Sequence, residues 1–266
     1  MGYRAHEHTN LHFAVYLTGG HLLDEALLLS FERLEAEHWW FVGRRNLVLD
    51  TVAASIPDGV DSVLEVGCGT GGMLEALSEF LPSARVVGAE PNESAALLAE
   101  ASGCSVDTAY FESLPHPDES FDVLLALDVL EHCENHLRAL EEAWRVLRPG
   151  GTLFLTVPAM PSLWGPHDEL NAHYRRYTAA TLDAALADSE FTHVRTTYFN
   201  GLLLPLGWLS KVASRVVKSR AVTGLDLPPR PLNAALLGIF TAEKYLLRHM
   251  NLPLGMSLLA VARKPL

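Results

Sequence analysis

The sequence is poor in cysteine and has no long apolar run. Its 266 residues include three cysteines, Cys68, Cys104 and Cys133, and no two of them form a C-x-x-C pair. Such a sparse, odd set predicts free thiols in a reducing compartment, which we expect to be the cytoplasm. No apolar stretch approaches the roughly 18 residues of a membrane span, and the first residues lack the apolar core of a signal peptide. We therefore expect neither a disulfide-stabilised secreted scaffold nor a membrane-spanning protein.

Basic residues are also few, and they are unevenly distributed. Residues 1–190 carry 10 Lys+Arg against 30 Asp+Glu, a net charge of −20, whereas residues 191–266 carry 10 against 2, a net charge of +8. The acidic body argues against sequence-independent nucleic-acid binding, which needs a basic face. The basic end suits an anionic ligand, an anionic membrane surface or the acidic body of the same fold.

What is present is the composition of a globular protein, with 49% apolar and 20% charged residues, in a chain long enough for one large core. Short apolar runs alternate with helical patterns, which predicts βαβ units and a parallel sheet. After them come a strand-like run, a Leu-rich helical stretch split by prolines, and a last strand. The predicted strands are 62–66, 85–89, 105–109, 121–127, 152–157, 192–199 and 257–262, and the Leu-rich stretch is 200–252.

A glycine-rich turn follows the first predicted strand. Gly67, Gly69 and Gly71 let the backbone turn tightly and approach a ligand, and the next helix presents free N–H groups. Glu90 follows Gly67 by 23 residues, at the end of the second predicted strand. A carboxylate at that place accepts hydrogen bonds from ribose hydroxyls. The spacing alone fits both NAD and S-adenosylmethionine.

Four ordered motifs carry a resemblance to a known family. They are Leu64–Gly71, Leu114–Asp122, Leu127–His132 and Leu147–Leu153. In this order and spacing the chain resembles class I S-adenosylmethionine-dependent methyltransferases over about residues 60–160. The resemblance implies a single Rossmann-like α/β domain. Its mostly parallel seven-stranded sheet would have helices on both faces, an N-terminal helical cap over 1–57, a cofactor-binding core over 58–160, and a substrate-side segment over 161–266.

The resemblance also implies which residues bind the cofactor, S-adenosylmethionine. The methionine end would be held by Glu65 and the glycine turn, namely Gly67, Cys68, Gly69 and Gly71, and the ribose by Glu90. The adenine would be flanked by Tyr110, Phe111 and Glu112 of the third-strand loop. The methyl group would be lined by Leu127 and Asp128.

An aromatic and basic element precedes the core. Residues 38–45 resemble an N-terminal element that closes over the cofactor in a subset of the family, which places Trp40 and Arg44 at the cofactor. Adjacent tryptophans and arginines suit an aromatic wall with an anion clamp. The alternative is a helix that packs its aromatic residues into the core.

Two histidines are the candidate bases. Methyl transfer depends mainly on positioning, and a base helps when the acceptor carries a proton. His132 follows the fourth strand, and His173 lies in a segment that resembles the one after the fifth strand in some of these enzymes. That segment supplies three predicted substrate contacts, Tyr174, Arg176 and Tyr177, and a fourth, Trp208, stands at the start of a later helical pattern.

A metal site is not expected. Asp128, His132 and His136 are spaced four residues apart, but a helix leaving the cofactor loop explains that spacing without an ion. The sequence therefore predicts no bound metal.

A basic amphipathic pattern spans residues 209–222 inside the Leu-rich stretch. Lys211, Arg215 and Lys218 fall on one helical face, which is typical of interfacial helices and of lids over apolar substrates. We favour a lid at about 200–252 over contact with a membrane surface.

The sequence thus predicts methyl transfer from S-adenosylmethionine, with S-adenosylhomocysteine as product, to a small, apolar acceptor, with oxygen slightly favoured. The expected partner is a small molecule and not nucleic acid, and a homodimer is compatible with the sequence. Two alternatives are a nicotinamide-dependent oxidoreductase and a methyltransferase-like protein that binds the cofactor without turnover.

Overall fold

The computed structural model describes residues 32–57, 59–209 and 227–266. These residues form one seven-stranded sheet in the order β3-β2-β1-β4-β5-β7-β6. Strands β1 to β5 pair in parallel, and β7 lies antiparallel between β5 and β6. The strands are β1 (Ser62–Val66), β2 (Arg85–Ala89), β3 (Ser105–Asp107), β4 (Phe121–Leu127), β5 (Leu147–Pro158), β6 (Thr192–Phe199) and β7 (Ser257–Arg263).

Helices connect the strands and cover both faces of the sheet. Residues 32–37 and 204–209 are also helical, and three short 3-10 turns cover Glu100–Ser102, Leu130–His132 and Pro161–Leu163. The labelled helices are α1 (Trp39–Ser55), α2 (Gly72–Phe80), α3 (Glu93–Ala99), α4 (His136–Val146), α5 (Pro166–Leu170), α6 (Ala179–Asp188) and α7 (Arg230–Leu247).

The core lies on both sides of the sheet because its central strands are mostly apolar and buried on both faces. Every residue of β1 is buried, as expected for a parallel strand covered on both faces. One core cluster joins the sheet to α4 and α6 through residues such as Leu140 and Leu186. A second joins it to α1 and α2 through Val48 and Leu77. The prediction of a Rossmann-like, mostly parallel sheet is confirmed.

The Leu-rich stretch contributes α7, which packs on α1. Phe240 is buried against the rings of Trp39 and Trp40, with centroids 6.2 and 5.8 Å away. A Cβ on Gly43 would lie 2.8 Å from Phe240 Cγ, so α1 needs a glycine at this crossing. The predicted basic helical pattern of residues 209–222 lies almost entirely outside the described residues. No helix in the described ranges is long and apolar enough to span a bilayer.

Candidate active site at the carboxyl edge of the sheet

The glycine-rich turn after β1 forms a tight loop against β2. Gly67 N donates a hydrogen bond to Ala89 O at 2.7 Å. Gly69 and Gly71 have φ of 57° and 94°, a region that favours glycine. A Cβ on Gly71 would lie 2.9 Å from Ala99 Cα, so this position also lacks room for a side chain. The loop therefore brings bare backbone to the carboxyl edge of the sheet.

Glu90 fixes this loop from the end of β2. Its buried carboxylate accepts hydrogen bonds from Gly69 N at 3.1 Å and Asn92 N at 2.9 Å. Burial raises the pKa of Glu90 to about 8. The carboxyl group thus stands beside the loop, at the carboxyl end of its strand, as the sequence predicted.

Two further acids face the same loop. Glu65 is buried, and its Oε2 has no hydrogen-bond partner among the residues that the structure describes. Burial and then the nearby Glu35 raise the pKa of Glu65 well above its usual range. Glu35 accepts hydrogen bonds from Thr70 Oγ1 at 2.5 Å and Gly72 N at 3.2 Å. The sequence analysis missed Glu35, because no motif spacing connects it to a loop more than 30 residues away.

Arginine side chains from α1 complete this end of the site. Arg44 donates to Leu127 O at 3.3 Å and forms an ion pair with Asp128. Arg45 donates to Glu35 O at 3.1 Å. A small cavity of about 30 Å³ is lined by these arginines, Glu35, Glu65 and the glycine loop. Carboxylate and guanidinium groups around one cavity suit a ligand that carries both signs of charge.

Two of the expected cofactor contacts pack against other aromatic or core residues. Trp40 stacks on Phe199, with ring centroids 5.8 Å apart and an interplanar angle of 12°, while the next residue, Phe41, lines the cavity. Successive helical residues point about 100° apart, and here Phe41 is turned to the cavity while the ring of Trp40 is turned to Phe199. Phe111 is buried in the core, which leaves Tyr110, at 57% exposure, as the open ring of the third-strand loop. Trp40 packs among aromatic residues, as in the alternative interpretation, and its contact with the cofactor stays a prediction.

The two candidate bases meet at the acceptor side, beyond β4 and β5. The rings of His132 and His173 are perpendicular, with centroids 4.6 Å apart. His173 Nδ1 lies 3.0 Å from Asp168 Oδ1, and Arg176 Nε donates to the same oxygen at 2.7 Å. Although burial opposes it, hydrogen bonds from His173 and Arg176 lower the pKa of Asp168 to about 2. Asp168 is the second site residue that the sequence analysis missed.

The four predicted substrate residues lie in different surroundings. Tyr177 is buried, and its hydroxyl lies 3.0 Å from His136 Nδ1, so its contact with an acceptor stays a prediction. Arg176 holds Asp168 and donates to Ala159 O at 3.0 Å, which makes it a positioning residue for His173. Tyr174 is exposed next to this site. Trp208, in the helical residues 204–209, remains a predicted contact.

One group of side chains has the composition of a metal site. Glu131, His132 and His173, here called the acceptor-side cluster, offer ligand atoms that all lie within 4.8 Å of one another. His136 does not belong to it, because its ring contacts Tyr177. Nitrogen and oxygen ligands lie about 2.0–2.2 Å from a tetrahedral zinc ion and hence roughly 3.4 Å from one another, a spacing that this limit neither establishes nor excludes. The absence of a metal therefore remains a prediction.

Topology and site together define an α/β protein that binds a nucleoside-containing ligand at the carboxyl edge of its sheet. Comparison with known proteins agrees with this class. Residues 64–155 match the family described as Methyltransferase domain. The "Probable S-adenosylmethionine-dependent methyltransferase" of Mycolicibacterium smegmatis is 33% identical over 177 residues, which cover 64% of this chain and 67% of that protein. The chain belongs to the class I S-adenosylmethionine-dependent methyltransferase family.

Two other similarities extend the comparison. A "Ubiquinone biosynthesis O-methyltransferase" of Agrobacterium fabrum is 39% identical over 98 residues, which cover 35% of this chain and 38% of that enzyme. The chain thus spans about two thirds of the first relative and well under half of the second. Phosphoethanolamine N-methyltransferase 2 of Haemonchus contortus, solved with S-adenosyl-L-methionine, shares the fold, with a TM-score of 0.61 and 14% identity. The matched region covers 91% of this chain and 58% of the Haemonchus contortus chain. The cofactor is S-adenosylmethionine, and the nicotinamide alternative is not supported.

Proposed function

We propose that the protein transfers a methyl group from S-adenosylmethionine to a hydroxyl group of a small, apolar acceptor, with His173 as general base. The observation that carries this proposal is the buried Asp168 carboxylate, 3.0 Å from His173 Nδ1, and the acceptor would meet the other ring nitrogen, Nε2. A carboxylate in this position orients an imidazole and stabilises its protonated form.

The residues of the glycine loop fit the cofactor. Glu65 has a buried oxygen with no hydrogen-bond partner among the described residues, and this oxygen would bind a cationic group of the cofactor. Arg44 would bind a carboxylate of the cofactor through its guanidinium group. Glu90 offers its carboxylate to ribose hydroxyls. When bound, S-adenosylmethionine supplies an electrophilic methyl group on a positively charged sulfur. The protein's contribution is to hold donor and acceptor in line and to exclude water.

Of the two histidines, His173 is the better base. Burial and then the neighbouring His173 lower the pKa of His132 to about 3, so His132 resists taking up a proton. His173 faces an anion, Asp168, that offsets the positive charge it would gain. His132 then acts as a neutral wall of the acceptor site, where it positions the acceptor beside His173.

Oxygen as the acceptor atom is supported by two considerations. An alcohol or phenol has a proton to lose, which gives the Asp168–His173 pair a function. The ubiquinone biosynthesis relative is an O-methyltransferase, although the similarity covers about a third of each chain. The half-buried His132, whose pKa is lowered by the loss of solvent, indicates a partly desolvated site, which suits an apolar acceptor.

The test is product formation from methyl-labelled S-adenosylmethionine with a panel of phenols, alcohols, carboxylic acids and amines. With an active acceptor, His173→Asn should lower turnover about 10²–10⁴-fold while cofactor affinity is retained. Asp168→Asn should lower turnover and change its pH profile, whereas His249→Asn, at an exposed histidine, should change neither.

A different outcome would change the conclusion in a defined way. Unchanged turnover in His173→Asn would show that catalysis depends on positioning alone and that no histidine base is used. Tight cofactor binding with no labelled product from any acceptor would support the non-catalytic alternative.

A further inference from the structure

Glu131 brings to the acceptor-side cluster a carboxyl oxygen that no described residue satisfies. The residue is 1% exposed, and its Oε2 has no hydrogen-bond partner among the residues that the structure describes. Two other acids of this region differ from it. Asp128 pairs with Arg44, and Asp168 pairs with Arg176. Because a buried carboxyl group without a partner costs stability, a cation bound at Glu131 would offset that cost.

Two histidines bring nitrogen ligands to the same carboxyl group. One ligand atom each of Glu131, His132 and His173 lie within 4.8 Å of one another. Three such atoms share a centre no farther than roughly 2.8 Å from each of them, which is 4.8 Å divided by the square root of three. Nitrogen and oxygen ligands bind zinc at about 2.0–2.2 Å. A movement of less than about 1 Å by each side chain would therefore complete a three-ligand site.

Neighbouring groups orient both imidazole rings. His173 Nδ1 lies 3.0 Å from the carboxylate oxygen Oδ1 of Asp168. The ring of His132 hydrogen-bonds the backbone of Asn171. In metal sites, a carboxylate or backbone group on one ring nitrogen fixes the ring so that the other nitrogen meets the ion. The supporting contacts that a metal site needs are thus present around both histidines.

The kinds of ligand in the cluster select the ion. Two imidazoles and one carboxylate are a ligand set of catalytic zinc sites, which keep a fourth position for water or substrate. Hard ions such as Mg²⁺ prefer oxygen ligands and bind such a mixed set less readily. Both histidines keep some exposure, so an ion can enter from solvent. The chemistry of the cluster therefore favours zinc over magnesium.

We propose that the acceptor-side cluster binds a zinc ion reversibly and that the bound ion inhibits methyl transfer. The inhibition rests on the proposed function, in which a ring nitrogen of His173 takes up the proton of the acceptor. An ion on that nitrogen occupies the lone pair that the proton needs, so base and metal site exclude each other. The expectation that turnover needs no metal is unchanged, because the ion acts as an inhibitor and not as a cofactor.

Calorimetric titration with ZnCl₂ alone tests the site. The full chain is used without an affinity tag, after treatment with EDTA and removal of the chelator. One ion should bind, and excess Mg²⁺ should not displace it. Glu131→Gln should weaken Zn²⁺ binding at least about tenfold, because a neutral amide replaces the carboxylate. His136→Asn is the matched control and should bind like the parent, since the His136 ring contacts Tyr177 outside the cluster. Thermal unfolding shows whether each variant is folded.

Kinetics with an active acceptor test the inhibition separately. Zn²⁺ should raise the KM for the acceptor and leave kcat unchanged, and EDTA should restore the original KM. Absence of Zn²⁺ binding by the parent, or unchanged binding in folded Glu131→Gln, would overturn the site. Binding that depends on Glu131 without a change in KM would overturn the inhibition and count against His173 as the base. Turnover lost with EDTA and restored by Zn²⁺ would also overturn the inhibition, since the ion would then be a cofactor.

Discussion

Removal of the Glu90 carboxylate gives a direct measure of the cofactor site. In Glu90→Ala, measured above pH 8 where Glu90 is mostly ionised, the ribose hydroxyls lose a charged acceptor, and the loop loses two hydrogen bonds, from Gly69 N and Asn92 N. Hydrogen bonds to a charged group contribute about 1.5–3 kcal/mol. The affinity for S-adenosylhomocysteine should therefore fall about 10- to 150-fold.

Calorimetric titration of folded protein with S-adenosylhomocysteine measures this loss. Glu93→Ala is the matched control, because Glu93 is an exposed acid in the first turn of α3, three residues from Glu90. It should bind S-adenosylhomocysteine like the parent. An unchanged affinity in a folded Glu90→Ala variant would refute the ribose assignment.

The same carboxyl group predicts a pH dependence. Burial raises the pKa of Glu90 from 4.5 to about 8 in the cofactor-free protein, so it is mostly protonated at neutral pH. Ribose hydroxyls donate to the ionised form, and the affinity should rise as the pH increases through about 8. The sign for stability is opposite. Because the folded state keeps a proton that the unfolded chain releases, Glu90 lowers stability progressively between pH 4.5 and about 8. Denaturant titrations of Glu90→Gln should show a smaller loss of stability over this pH range than the parent, because other buried acids, such as Glu65, keep their own contributions.

Three further predictions concern the loop, the α1–α7 contact and metals. Gly71→Ala should lower the free energy of unfolding by more than Gly103→Ala. Both glycines have positive φ, but only at Gly71 would an added Cβ clash with backbone atoms. Denaturant titration compares the two variants, and equal losses would contradict the steric argument. Phe240→Ala should cost about 3–5 kcal/mol and Tyr245→Ala, at an exposed ring, about 0.5 kcal/mol or less; similar losses in the two variants would show that α7 is not anchored through Phe240. Treatment with EDTA should leave turnover unchanged, whereas loss of turnover that Zn²⁺ restores would identify the acceptor-side cluster as a metal centre.

Local sequence patterns determined most of the fold. The predicted bounds of four strands, including Ser62–Val66 and Phe121–Leu127, agree with the structure residue for residue. Apolar runs between turn residues encode strands locally, and glycine where φ is positive encodes the loop. Glu90 was predictable for the same reason, because its distance from the loop is set by one βαβ unit.

Tertiary structure alone decided which side chains share a site. Glu35 reaches Gly72, and Asp168 reaches His173, through packing that no local pattern encodes. Trp40 and Phe41 have similar chemistry in the sequence, and the rotation of α1 against α7 decides which of them lines the cavity. Contacts between distant residues depend on how whole elements pack, which hydrophobic periodicity specifies only as buried or exposed faces.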